Sequence, residues 1–231
     1  MTTTTRPAVY ASRAGARHFD LLLTAMCVVI ILSNIGASKG VQLGPVVTDG
    51  GFFLFPAAYI LGDVISEVYG PRAARRSIIA GFACSVLAVL TFWVVLALPG
   101  LGDDQAAAKQ AALEGALGPV WQIVLASALG FVVGQTSNAL VMVRMKSRFG
   151  ERGLAARLMA STGVGEFLDT LVFCSVAATA IGISSWGQWA NYVAFGFLWK
   201  TAVEYLLVPV TSRVIGAIKR SEPSYREGLL R

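Results

Sequence analysis

The sequence predicts an all-α polytopic membrane protein, a bundle of six transmembrane helices with both termini on the cytoplasmic side. Three observations lead there. Of 231 residues, 55% are hydrophobic and only 14% charged, and mean hydropathy is +0.66, whereas an ordinary soluble domain carries about 25% charged residues. Apolar runs recur at about the 20-residue length that a ~30 Å hydrocarbon core requires. Finally, 16 of the 19 Lys and Arg residues fall on one side once the runs are threaded through a bilayer, and that side is the cytoplasmic one.

Taken in order, the first span runs from about 19 to 38, entered from an arm that carries Arg6, Arg13 and Arg17. Five apolar runs follow it, so it reads as a membrane helix rather than a cleaved leader. The second, about 51 to 70, is apolar except for Asp63 and Glu67 and leads to a basic connection with Arg72, Arg75 and Arg76. The third covers about 77 to 98. An acidic external connection with Asp103, Asp104 and Glu114 separates it from the fourth, about 119 to 143. Five basic residues between Arg144 and Arg157 precede the fifth, about 158 to 181, which is interrupted by Glu166 and Asp169. A polar cluster around Gly182 to Gln188 forces a turn before the sixth, about 189 to 212. The Thr-rich start and the tail from Ser221 lack apolar periodicity and read as frayed ends. Residues 1–231 thus form one integral membrane domain.

A net charge of +6 does not make a nucleic-acid binder, because the basic residues punctuate apolar runs instead of forming a water-exposed face. Cys27, Cys84 and Cys174 each lie inside an apolar run and read as packing residues. No spacing suits a metal, and no cofactor motif or Ser-His arrangement suggests an enzyme. Trp186, Trp189, Tyr192 and Trp199 read as interfacial anchors and packing, with Trp199 also able to offer a ring to a flat ligand.

Ionisable groups inside a bilayer cost at least ~2.5 kcal/mol at a helix centre and mark functional sites by default. Tyr59, Asp63 and Glu67 share one helix face, as do Thr162, Glu166 and Asp169 on the fifth helix and Lys200 and Glu204 on the sixth. These stripes should face one another across the bundle, joined at comparable depth by Asn34, Gln135 and Asn138. Hydrogen-bonded glue between helices is the plainer reading of the amides. It is less adequate for five carboxylates against one lysine. Lys200 has two candidate partners, Glu204 one turn away and Asp169 across the bundle, and Asp169 is favoured.

The segment "FLFPAAYILGDVISEVYGPRAARRS" resembles the hallmark of the queuosine precursor transporter family, also grouped among vitamin uptake transporters. The Ser33-Asn34 pair, "VVGQ" ending in Gln135, "MASTGVGEFLDT" and Lys200 in "FLWKTAVEY" agree with it. The resemblance spans about Ser33 to Pro209. It implies a bacterial inner-membrane importer of deazaguanine bases for the salvage of queuosine in transfer RNA, with Asn34, Asp63, Gln135, Asp169 and Lys200 as functional residues. Glu166 and Asn138 stand where family members vary among polar types; Tyr59, Glu67, Trp199 and Glu204 are secondary candidates. The implied partners are the small-molecule substrate and membrane lipid, with coupling to protons and a homodimer left open. A guanine-like edge offers two adjacent N–H donors that a carboxylate grips, while an amide or ammonium meets its carbonyl. Two rivals are a substrate-binding subunit that needs a separate energising complex and an intramembrane aspartyl-type enzyme. The second lacks the G-x-G-D that would flank its aspartates.

Overall fold

The computed structural model describes residues 10–12, 16–149 and 154–225. Seven helices and one hairpin follow in order: α1 (Phe19–Gly36), β1 (Gly40–Leu43), β2 (Val46–Asp49), α2 (Phe55–Tyr69), α3 (Pro71–Ala97), α4 (Asp104–Leu117), α5 (Val120–Phe149), α6 (Leu154–Ile181) and α7 (Trp186–Ser221). The protein is all-α and polytopic. Five helical stretches are long and apolar enough to cross a membrane: Phe19–Gly36, Arg72–Ala97, Asp104–Gly134, Thr162–Ile181 and Trp186–Ser221. α2, with 15 residues, rises only about 22 Å, short of a ~30 Å hydrocarbon core.

The connections depart from the sequence reading in three places. Between α1 and α2 the chain forms an antiparallel hairpin, Gly40 facing Asp49 and Leu43 facing Val46, where a plain connection was expected. Its two-residue turn is Gly44-Pro45, with Gly44 at φ +60°. The helix after it starts at Phe55 instead of 51, with Pro56 in its first turn.

Arg72, Arg75 and Arg76 lie inside the first turns of α3 rather than in a loop. A single residue, Gly70, both ends α2 and precedes α3; its φ of +88° and ψ of 166° form a corner that side-chain-bearing residues avoid. Pro71 then occupies the first helical position, where its missing N–H costs nothing.

The acidic connection is itself a helix, α4. Asp103 caps it by accepting from the Ala106 N–H at 2.7 Å, and an alanine-rich run sustains it. None of its residues is buried.

The segment after α7 corrects the expectation of fraying there. Glu222, just past α7, is fully buried. Its carboxylate accepts from the Tyr69 hydroxyl at 2.6 Å and from the Arg17 and His18 N–H groups at 3.0 Å each. His18 Nε2 and Ser221 Oγ lie 2.9 Å apart, and the Ala11 N–H donates to the Val68 carbonyl. The start of α1, the end of α2 and the segment after α7 are therefore tied together. The Thr-rich start and residues 226–231 lie outside the described residues.

Two of the apolar cores sit at opposite ends of the bundle, and a smaller one joins Val89 of α3 to Val120 and Val124 of α5. At the hairpin end, Ala37, Ile123, Ala126, Phe173, Ala177, Tyr192 and neighbours join α1, α5, α6 and α7. At the other end, where the termini lie, Phe19, Val64, Val68, Tyr69 and Ala73 join α1, α2 and α3, with Ile215 and Ile218 of α7 against them. That second core has no described member from α5 or α6. α5 and α6 instead pack on each other more extensively than any other pair. Gly130 and Gly134 allow it, since a Cβ on either would come within 2.8 Å of the Asp169 side chain, the small-residue contact typical of membrane helices.

Candidate functional site

Between the two cores lies a cavity of about 790 Å³ whose walls come from α1, α2, α3, α5, α6 and α7. Asp63, Glu166, Asp169 and Lys200 all line it. A smaller cavity of about 620 Å³ between α2, α6 and α7 shares Asp63, Ser66, Thr162 and Lys200 with it, so the two are lobes around one group of polar residues. The stripes seen in the sequence do converge.

The centre of this group is an ion pair across two helices. Lys200 Nζ donates to Asp169 Oδ2 at 2.6 Å, with the side chains 12% and 14% exposed. Asp169, the partner favoured from the sequence, is thus paired with Lys200 in the structure. The ammonium also lies 5.5 Å from the Phe55 ring centre and 5.9 Å from that of Phe173, where the negative ring faces favour a cation. These two rings meet edge to face at 5.8 Å. A pair so enclosed is costly to break, because removing one partner strands a desolvated charge.

Asp63 differs from it. Its carboxylate is exposed to both lobes. Among the described residues no hydrogen bond to it is seen. Glu166 stands one turn before Asp169 on the same wall. The cavity therefore offers carboxylates beyond the one that neutralises Lys200.

Asn34 also lines the cavity but is spoken for. It accepts from Ser127 Oγ at 2.8 Å and donates to Ser85 Oγ at 3.5 Å, joining α1, α5 and α3 as buried glue. Glu67 lines the smaller lobe and is paired with Lys219 of α7. Trp199 is not among the residues lining either cavity. Its indole N–H donates to the Phe52 carbonyl at 3.1 Å, and the ring stacks on Phe195 at 5.9 Å and 19°. The side chains of Tyr59, Gln135, Asn138 and Glu204 lie outside the described residues.

Sequence reasoning missed three features. Arg75, read as a topology signal, lines the larger cavity; because α3 begins at Pro71, Arg75, Ile78 and Phe82 share its inward face. Tyr192, read as an interfacial anchor, is 2% exposed and donates to Asp49 Oδ2 at 2.6 Å. Asp49 itself, 4% exposed, also accepts from the Gly51 N–H at 2.7 Å. Burial pushes its carboxyl above the usual range, although the Tyr192 and Gly51 hydrogen bonds pull it down. The hairpin is further held by Asn191, which accepts from the Val47 N–H at 2.7 Å and donates to the Pro45 carbonyl at 2.9 Å. A Gly-Pro turn between two short β-branched runs was the available signal for the hairpin.

A multi-pass helical bundle with charged groups gathered around an interior cavity is the architecture of a membrane transporter. The comparisons with known proteins say which kind. Residues 49–214 match the family described as "Putative vitamin uptake transporter", and the chain belongs to that family. It is 31% identical over 183 residues to a Bacillus subtilis (strain 168) protein named "Probable queuosine precursor transporter", covering 78% of this chain and 76% of the relative. No solved structure matches.

Proposed function

We propose that this protein imports queuosine precursors, deazaguanine bases, across a bacterial cell membrane for salvage into transfer RNA. The observation that carries the reading is the interior cavity, where the Asp169–Lys200 pair stands beside further carboxylates in a chain whose named relative handles such precursors. In this reading the Asp63 carboxylate meets the paired N–H donors of a guanine-like edge, and Lys200 turns toward the base carbonyl. Bases with a different donor and acceptor edge leave these groups unsatisfied and are rejected.

The proposal includes six crossings, with α2 as the short one beneath the hairpin, and cytoplasmic termini. The distribution of basic residues supports this orientation. The hairpin then caps the external side. Coupling to protons is part of the proposal too, supported by the exposed Asp63 carboxylate in the cavity. No catalytic step enters this reading.

The test uses a cell that cannot make queuosine, has no second importer, and is supplied with low external precursor. Removing the gene should lower modified transfer RNA, and collapsing the proton gradient should stop uptake. Unchanged modification without the gene would sink the proposal. A reporter fused after Arg231 should read cytoplasmic and one near Asp104 external.

A further inference from the structure

The polar groups described so far can recognise the edge of a flat ligand, but none of them covers its face. A planar heteroaromatic ring brought into a cavity leaves two large π surfaces to be desolvated. Four phenylalanines line the larger cavity: Phe55, Phe82, Phe131 and Phe173. Phe55 and Phe173 are already engaged, each within 6 Å of the Lys200 ammonium. Phe82 and Phe131 have no cation near them among the contacts seen. They come from α3 and α5, and their centres lie 6.1 Å apart at 53°. Each sits on the inward face of its helix, Phe82 in register with Arg75 and Ile78, and Phe131 in register with Ser127 and Gly134. Both rings are only half-buried, so each keeps surface toward the open volume.

The geometry points to Phe82 and Phe131 as the stacking platform that holds the face of the transported base while the acidic groups hold its edge. This inference rests on the proposed function, since it needs a flat ligand. Aromatic stacking tolerates differences in ring substituents, because every base presents a π face, whereas edge hydrogen bonds do not. The platform therefore sets affinity for planar bases generally, and the charged wall selects among them. This division gives each set of residues a different mutational signature.

The test is equilibrium binding of a labelled deazaguanine base to the full-length protein in lipid nanodiscs. Phe82→Leu and Phe131→Leu should each weaken binding by about tenfold, in the range of one lost stacking contact. Phe131→Tyr should bind within about threefold of the parent, since the ring is kept. The ranking of deazaguanine over adenine should survive every ring substitution, because the edge contacts are untouched. A second readout covers the event that the leucine variants do not fold. In Phe131→Trp, saturating base should quench tryptophan emission more than it does in the parent, as a stacked indole requires. Leucine variants that fold and bind like the parent would overturn the inference, as would a Phe131→Trp protein that binds base without added quenching. A parent protein that binds no deazaguanine base at all would instead overturn the functional reading on which the platform depends.

Discussion

The two ends of the bundle are closed in different ways. At the hairpin end one apolar core gathers α1, α5, α6 and α7, and α7 adds hydrogen bonds to the hairpin through Asn191 and Tyr192. At the end carrying the termini, the core and the Glu222 cluster join α1, α2, α3 and α7, without a described residue of α5 or α6. Among the described residues, the α5–α6 hairpin shares an apolar core with α1 and α7 at the hairpin end. The cavity lies along it, lined by Thr136 and Thr162 as well as Arg75 and Ser66.

The largest effects should come from the ion pair that joins α6 to α7, Asp169–Lys200. Lys200→Met and Asp169→Asn should each abolish uptake. Lys200→Met should cost about 3 kcal/mol of stability, the usual result of stranding one member of a buried pair. The double variant should recover much of that loss, and a double-mutant cycle on melting temperature in detergent measures the coupling. Absence of coupling would mean that the pair does not join α6 to α7. Asp63→Asn should also abolish uptake, yet change stability by less than about 0.5 kcal/mol. It faces the cavity without a hydrogen bond among the described residues, so the change removes no seen contact that holds the fold.

Much of this centre was legible in the sequence. An ionisable residue in an apolar run must point away from lipid, and helical spacing then fixes which residues share a face. That constraint placed Asp63, Asp169 and Lys200 in one chamber. It has no purchase outside the spans. Asp49 lies in a Gly-rich stretch without helical period, and Glu222 lies in a polar tail; each is buried only because distant backbone and a tyrosine hydroxyl surround it. Asn34 shows the opposite failure. Its depth was readable, but whether its amide meets ligand or the Ser85 and Ser127 hydroxyls depends on side-chain geometry that spacing does not fix.

A middle-sized effect should separate the hairpin from the termini. Tyr192→Phe removes one hydroxyl from Asp49, and Asn191→Ala removes both side-chain bonds to the hairpin backbone. Each should cost about 1 to 2 kcal/mol. The loss should appear as faster amide exchange within residues 40–51, with exchange around residues 16–24 unchanged. Equal loosening of both regions would show that the two ends are not independent.

The smallest expected effect, and the sharpest test of the contrast, is pH. Asp49 and Glu222 are both buried carboxyls that accept a tyrosine hydroxyl, but their titrations shift in opposite directions. Burial raises Asp49 above 3.8, despite the Tyr192 and Gly51 hydrogen bonds and the more distant Lys200 charge. Burial also acts to raise Glu222, but the bonds from Tyr69, Arg17 and His18 together with the charge of His18 outweigh it, and the carboxyl falls below 4.5. By linkage, a carboxyl with a raised folded value gives stability that is complete at low pH and lost as pH rises through that value. A lowered one gives stability present above its unfolded value and lost as pH falls through the folded one. Acidification from pH 6 to pH 4 should therefore tighten the hairpin end and loosen the end with the termini. Amide exchange corrected for its intrinsic pH dependence should show protection rising over residues 40–51 and falling over residues 16–24. Asp49→Asn should flatten only the first trend. Glu222→Gln should flatten only the second, and because His18 remains, it separates the carboxylate from the imidazole. If both ends tightened or both loosened on acidification, the opposite wiring of these two carboxyls would be wrong.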